Sequence, residues 1–411
     1  MAREANRLGW LDGLRGLAAM QVVLLHYVFA FLPTFSETYP LPIAGWWSLV
    51  TTPLVFLYDG SSAVYLFFIM SGVALTHAFS PRPFAFLPTV TRRVIRLGLP
   101  MAVATLLAAV LYSLLPDAHV IAGGQTGSAR LGGIGPRDLS VAAIVHQIVF
   151  EGLLTGFDGW SLLPGWMTQP LSLTRNVHGL DTPLWTLHLE FCGSLLVMLL
   201  VALRASVSPG AYRATCAILG CAFVLSPMVL FIIGHVAAGH LRRDMIRKGQ
   251  TALGAAILGS GIMLCSMRVI VPVSILWRGL PSPLLGIQGD DAILQKTIGA
   301  VLVFGGIALL PVLQRGLEAP ATRWLGKISF SLYLSHLPLL YTAVAAGFIV
   351  LDGRLPYGAA VAVSSVVGIA ASIALAVAFE RWIDRPAIML SRMVGSASRR
   401  RVARMPVIEA G

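Results

Sequence analysis

Two ionisable residues lie in the first apolar run of this chain, and their spacing puts them on one face. Arg15 and His26 are eleven residues apart, which on a helix is three turns plus about 20°. Along the axis they are separated by roughly 16 Å. His26 would therefore sit near the middle of a bilayer, above a cationic mouth where Asp12 and Arg15 begin the helix. Ionisable groups are expensive in hydrocarbon, so each one needs a partner or a task. A second apolar run carries Glu190 within TPLWTLHLEF. Counted from Pro183, Glu190 lies roughly 10 Å deep, close to the level of His26. A carboxylate that orients an imidazole makes a general base, so a His26–Glu190 pair is expected. His188 is about 200° round the helix from Glu190 and is expected to serve packing.

Three further segments hold polar residues of interest. KISFSLYLSHLPLL places Tyr333 and His336 in one run, with Pro338 freeing backbone carbonyls nearby. The serines there read as bonded to their own helix. LFFIMSGVALTH offers Ser71 and Gly72, where a ligand or another backbone can approach closely. TRRVIRLGLP supplies Arg92, Arg93 and Arg96. Three guanidinium groups suit a multiply phosphorylated ligand, which they grip in a bidentate way; they suit ordinary membrane topology as well. A proton-coupled transporter or flippase could use His26, Glu190 and His336 as a relay. The sequence has neither the inverted repeat nor the matched broken helices of such folds.

The elements that carry these residues are membrane helices. Of 411 residues, 56% are hydrophobic and 12% charged, whereas a soluble domain has about a quarter charged. Apolar runs long enough to consider as spans fall near 14–33, 62–79, 96–115, 184–203, 211–225, 226–241, 250–267, 296–313, 329–350 and 357–380. A stretch at 269–277 is too short to cross. Basic residues outnumber acidic ones 30 to 18. About 22 of them fall at the termini and on alternate loops and about seven on the other side, which predicts cytoplasmic termini. The expected fold is an all-α polytopic bundle of about ten transmembrane helices. Residues 1–385 form one membrane domain, and 386–411 a basic cytoplasmic tail expected to be disordered. The basic excess needs no nucleic-acid partner; membrane lipids are the surroundings. The four cysteines form no CxxC pair, so neither a disulfide framework nor a metal site is expected. The outer segment 116–183 includes an amphipathic stretch at 139–154, expected at the membrane surface. Trp160, Trp166, Asp158 and Asp181 in that segment could stack on and hydrogen-bond a sugar.

In this order the segments resemble the acyltransferase family 3 of membrane O-acyltransferases. LDGLRGLAAMQVVLLHY resembles the family's Arg-x10-His signature at Arg15 and His26. FFIMSG resembles its Phe-Phe-x-x-Ser-Gly motif, with Ser71 and Gly72, and RVIR its Arg-x-x-Arg motif at Arg93 and Arg96. PLWTLHLEF is similar to the Trp-Ser-Leu-x-x-Glu motif, with Trp185 and Glu190 matched and Thr186 in place of Ser. SFSLYLSH is similar to the Ser-Tyr-x-x-Tyr-Leu-x-His segment, with Phe330 in place of the first Tyr and with Tyr333 and His336 matched. The resemblance implies transfer of an acyl group from cytoplasmic acyl-CoA, acetyl-CoA in the first instance, to a hydroxyl on the far side of a bacterial inner membrane. The implied acceptor is a carbohydrate or lipid-linked sugar, and a small secondary metabolite is the alternative. His26, Glu190 and Arg15 would be catalytic, Arg92, Arg93, Arg96, Ser71 and Gly72 would bind the donor, and Asp12, Trp185, Tyr333 and His336 would support them.

Overall fold

The computed structural model describes residues 8–37, 53–79, 86–163, 167, 170–171, 173–241, 251–267 and 291–403. Apart from one isolated bridge between Asp158 and Arg175, all regular structure among them is helical. In chain order the main helices are α1 Gly9–Phe31, α2 Gly60–Phe79, α3 Phe86–Leu114, α4 Val141–Thr155 and α5 Thr182–Ser206. There follow α6 Pro209–Ala222, α7 Met228–Ala238, α8 Thr251–Ser266, α9 Asp291–Leu309 and α10 Pro311–Leu317. The last are α11 Pro320–Asp352, α12 Tyr357–Phe379 and α13 Arg385–Ala403. The stretch 269–277, Trp166 and the basic loop at 242–249 lie outside the described residues.

The described residues of the ten apolar runs are nearly all helical, and among the described residues six helices are long and apolar enough to cross a membrane. These contain α1, α2, α3, α5 and α11, the sixth being the continuous Tyr357–Val394. A seventh crossing is possible only if α9 and α10 count as one, and they meet at a 95° bend. Pro311 makes that break: it opens α10 and has no N–H to continue the ladder of α9. Among the described residues α7 and α8 are apolar over 11 and 16 residues, short of the roughly 20 a full span needs. The chain is an integral membrane protein with six such spans among its described residues.

Two further elements flank the bundle. Arg385–Ala403 forms helix α13, which lies along α3 with Ala387 and Ser391 buried. The amphipathic stretch α4 is inverted: Val141, Val145, Val149 and Leu154 are exposed, while Gln147 and Glu151 are buried. Those two hold the outer loop, Gln147 accepting from the Leu180 N–H and Glu151 from that of Thr174. From Gln147 onward α4 is a π-helix, whose wider turn stacks residues four to five apart on one face.

Helix α1 is central. Trp10, Leu14, Ala18 and Val22 face a cluster built with α2, α5, α7 and α9, while Ala19, Val23, Tyr27 and Ala30 face one built with α3, α11 and α12. Lipid removes the hydrophobic drive for helices to associate, so close packing has to supply it. A Cβ on Gly16 would fall 2.5 Å from the Gly326 nitrogen, so α1 and α11 touch backbone to backbone. Gly16 meets Gly326 and His26 meets His336, the same offset of 310 residues. The two helices therefore run parallel and in fixed register.

Candidate active site

A cavity of about 300 Å³ opens among α1, α2, α3, α5 and α11. One end is cationic, with Arg15, Arg93 and Arg96; Phe67, Phe68, Leu75 and Leu187 make apolar walls, and Thr186 and Tyr333 close it. Arg93 donates to Glu190 at 2.9 Å, both side chains being about five-sixths buried. Arg96 pairs with Asp384, in the π turn between α12 and α13, and lies 4.8 Å over the Phe330 ring. Three arginines against two carboxylates leave this end of the cavity net positive, as an anionic ligand needs. Flexible charged groups beside an apolar tunnel suit a molecule with a phosphorylated head and a neutral arm.

Behind Tyr333 lies a pair of imidazoles. His336 Nδ1 is 2.9 Å from the Leu332 carbonyl, and its Nε2 is 3.0 Å from Nδ1 of His26. A carbonyl only accepts, so His336 Nδ1 carries a hydrogen, and in the neutral ring Nε2 is then the acceptor. His26 Nδ1 must donate to it. This leaves the Nε2 lone pair of His26 as the basic position, in the manner of a histidine held by an orienting partner. Tyr333 lines the cavity and also stands 6.2 Å, ring to ring, from His336. Its hydroxyl is fixed by Thr186 Oγ1 at 2.9 Å and the Pro183 carbonyl at 3.1 Å.

The structure thus brings Arg15, Arg93, Arg96, Ser71, Glu190 and Tyr333 around one cavity and places His26 with His336 next to it. The expected His26–Glu190 pair does not form. Glu190 points toward α3 and bonds Arg93 at the cationic end of the cavity, whereas His26 bonds His336 of α11. The three-residue relay of a transporter is not assembled for the same reason. Gly72 is not a cavity residue: a Cβ there would lie 2.5 Å from the Phe231 carbonyl oxygen of α7, so its smallness serves helix packing. Arg92 does not line the cavity either, and Asp12 lies in the first turn of α1 against Gly326. Trp185 stacks on Trp160 with ring centroids 3.9 Å apart, clamping the outer loop to α5. His188 does likewise, linking the Leu153 carbonyl and the Leu162 N–H. Ser335 bonds the Ser331 carbonyl of its own helix. Sequence reasoning missed Asp384, which lies at the end of the last apolar run, and the latch role of Thr186.

Comparison with known proteins matches this arrangement to one family. A family model for an acyltransferase domain, acyltransferase family 3, fits residues 8–381. An O-acetyltransferase of Phomopsis amygdali, PaAT-1, is 25% identical over 437 residues, covering 95% of this chain and 86% of that protein. No solved structure matches. With a match across nearly its whole length, the chain belongs to acyltransferase family 3 and is a membrane acyltransferase.

Proposed function

We propose that the protein moves an acetyl group from acetyl-CoA to a hydroxyl of a carbohydrate or lipid-linked sugar across a bacterial inner membrane. The observation that carries this reading is the cavity itself: cationic where Arg15, Arg93 and Arg96 gather, apolar along its length, and ending at Tyr333 beside the His26–His336 pair. The arginine end faces the cytoplasm, in keeping with the basic loops, and both termini lie on that side. The nucleotide phosphates rest at the arginines and the pantetheine arm runs along Phe67, Phe68 and Leu187. In the transfer step His26 Nε2 takes the proton of the acceptor hydroxyl. The acceptor oxygen bonds the acyl carbon, the carbon–sulfur bond breaks, and the proton passes on to the departing CoA thiolate. His336 keeps His26 in the tautomer this requires.

The test uses purified full-length protein in detergent, with CoA release followed from acetyl-CoA and from acetyl-pantetheine, which lacks the nucleotide. His26→Ala should lower kcat by ~100-fold or more. The double change Arg93→Ala and Arg96→Ala should raise KM for acetyl-CoA by ~10-fold or more, as lost charge-assisted phosphate contacts do, and leave acetyl-pantetheine unaffected. Equal loss with both thioesters would remove the phosphate-binding role, and full activity of His26→Ala would remove the reading altogether.

A further inference from the structure

Asp181 is the most poorly satisfied charged group among the described residues. It is 1% exposed, and neither carboxylate oxygen has a hydrogen-bond partner among them. Burial without a counter-charge drives its carboxyl well above the usual carboxylate range. Its position is as unusual as its environment. Leu180, next to it, is packed in the cluster that holds Tyr27 and Leu337, the neighbours of His26 and His336 in sequence. Pro183, two residues on, receives the Tyr333 hydroxyl. Tyr112 belongs to the same buried cluster as Leu180. Tyr112 lies near the end of α3 remote from Arg93 and Arg96. Asp181 therefore stands on the side of the imidazole pair away from the arginine cavity, with tyrosines about it.

We propose that Asp181 is the acceptor-binding residue, its carboxyl group hydrogen-bonding the hydroxyls of a neutral polyhydroxylated substrate that arrives at the end of the bundle opposite the arginines. Two oxygens lacking partners match two neighbouring hydroxyls, and phenol rings beside a carboxylate are suited to the alternating polar and apolar faces of a sugar. An anionic acceptor is disfavoured at such a site, because its charge would be buried without a counter-charge. The assignment rests on the acyl-transfer reading above and adds a binding site for its second substrate.

Two measurements on full-length protein in detergent test it. The first compares wild type and Asp181→Asn with radiolabelled acetyl-CoA as donor and octyl β-glucoside as the acceptor probe. Asp181→Asn should raise KM for octyl β-glucoside at least 10-fold, with acetyl-CoA binding and acceptor-independent CoA release unchanged. The second is thermal unfolding without acceptor. A carboxylate held for a substrate destabilises the empty protein, so Asp181→Asn and Asp181→Leu should melt higher than wild type by about 2 °C or more. A lower melting point in both variants overturns the proposal, because Asp181 would then be a structural residue with partners of its own. So does an unchanged KM. Parallel loss of donor binding assigns Asp181 to the fold and also overturns it. A wild type that neither acetylates the probe nor releases CoA defeats the acyl-transfer reading, and this assignment with it.

Discussion

A base needs a lone pair aimed at its target, and in this chain a second histidine provides the aim. His336 is fully buried and bonded to its own helix through Nδ1, so it can present only Nε2 to His26. His336→Ala leaves the His26 Nδ1 hydrogen without its acceptor and the ring free to turn. The expected result is a ~100-fold lower kcat with KM for acetyl-CoA little changed, read from steady-state CoA release. Glu190 tests the opposite assignment. It holds Arg93, so Glu190→Gln makes the cavity more positive. KM for acetyl-CoA should then fall by about 3-fold, the scale of one partly exposed ion pair. An unchanged KM with kcat down by two orders of magnitude would instead return Glu190 to the imidazole.

Among the elements, the parallel pair α1 and α11 sets the site. Every functional contact between them, from Arg15 beside Ser329 and Phe330 to His26 on His336, depends on one register. Gly16 and Gly326 hold that register, because their backbones meet where any side chain would intrude. Gly16→Leu forces the helices apart and should destabilise the protein by ~1–3 kcal/mol. It should also lower activity more than a conservative change at an exposed position such as Leu17. Thermal melting and CoA release on the same preparations check both outcomes. The same logic explains Gly72, whose motif position reads as a ligand contact but whose space is filled by α7.

At the scale of the whole molecule, the outer loops are tied to the bundle by buried polar side chains. Gln147, Glu151 and His188 bond loop backbone, and His119 stacks on Tyr341 with Tyr112 edge-on. Burial is the larger influence on His119 and pulls its pKa below the ordinary 6.5, with Asp117 acting against it. A depressed folded pKa means the unfolded chain takes up the proton first as pH falls. Stability should hold above about pH 6.5 and decline below it toward the folded value. His119→Gln should remove part of that slope, as melting curves from pH 5 to 8 would record.

Helical class, a membrane setting and the family motifs were all legible in the chain. Hydrophobic run length and charge scarcity are one-dimensional properties, and lipid leaves the backbone few ways to satisfy itself. Periodicity also put Arg15 and His26 on one face, since that follows from a single helix. What faces what was not legible. His26 and Glu190 were expected to meet, yet each bonds a different helix, because rotation about the helix axis is decided by packing between α1 and α11 and between α3 and α5. Asp384 became part of the site only when α13 folded along α3. Run length likewise exceeded the six full spans among the described residues, since a proline break and short helices interrupt apolar sequence without changing its hydropathy. Composition and period act along one chain segment, whereas partner choice is a property of surfaces that meet only in the folded bundle.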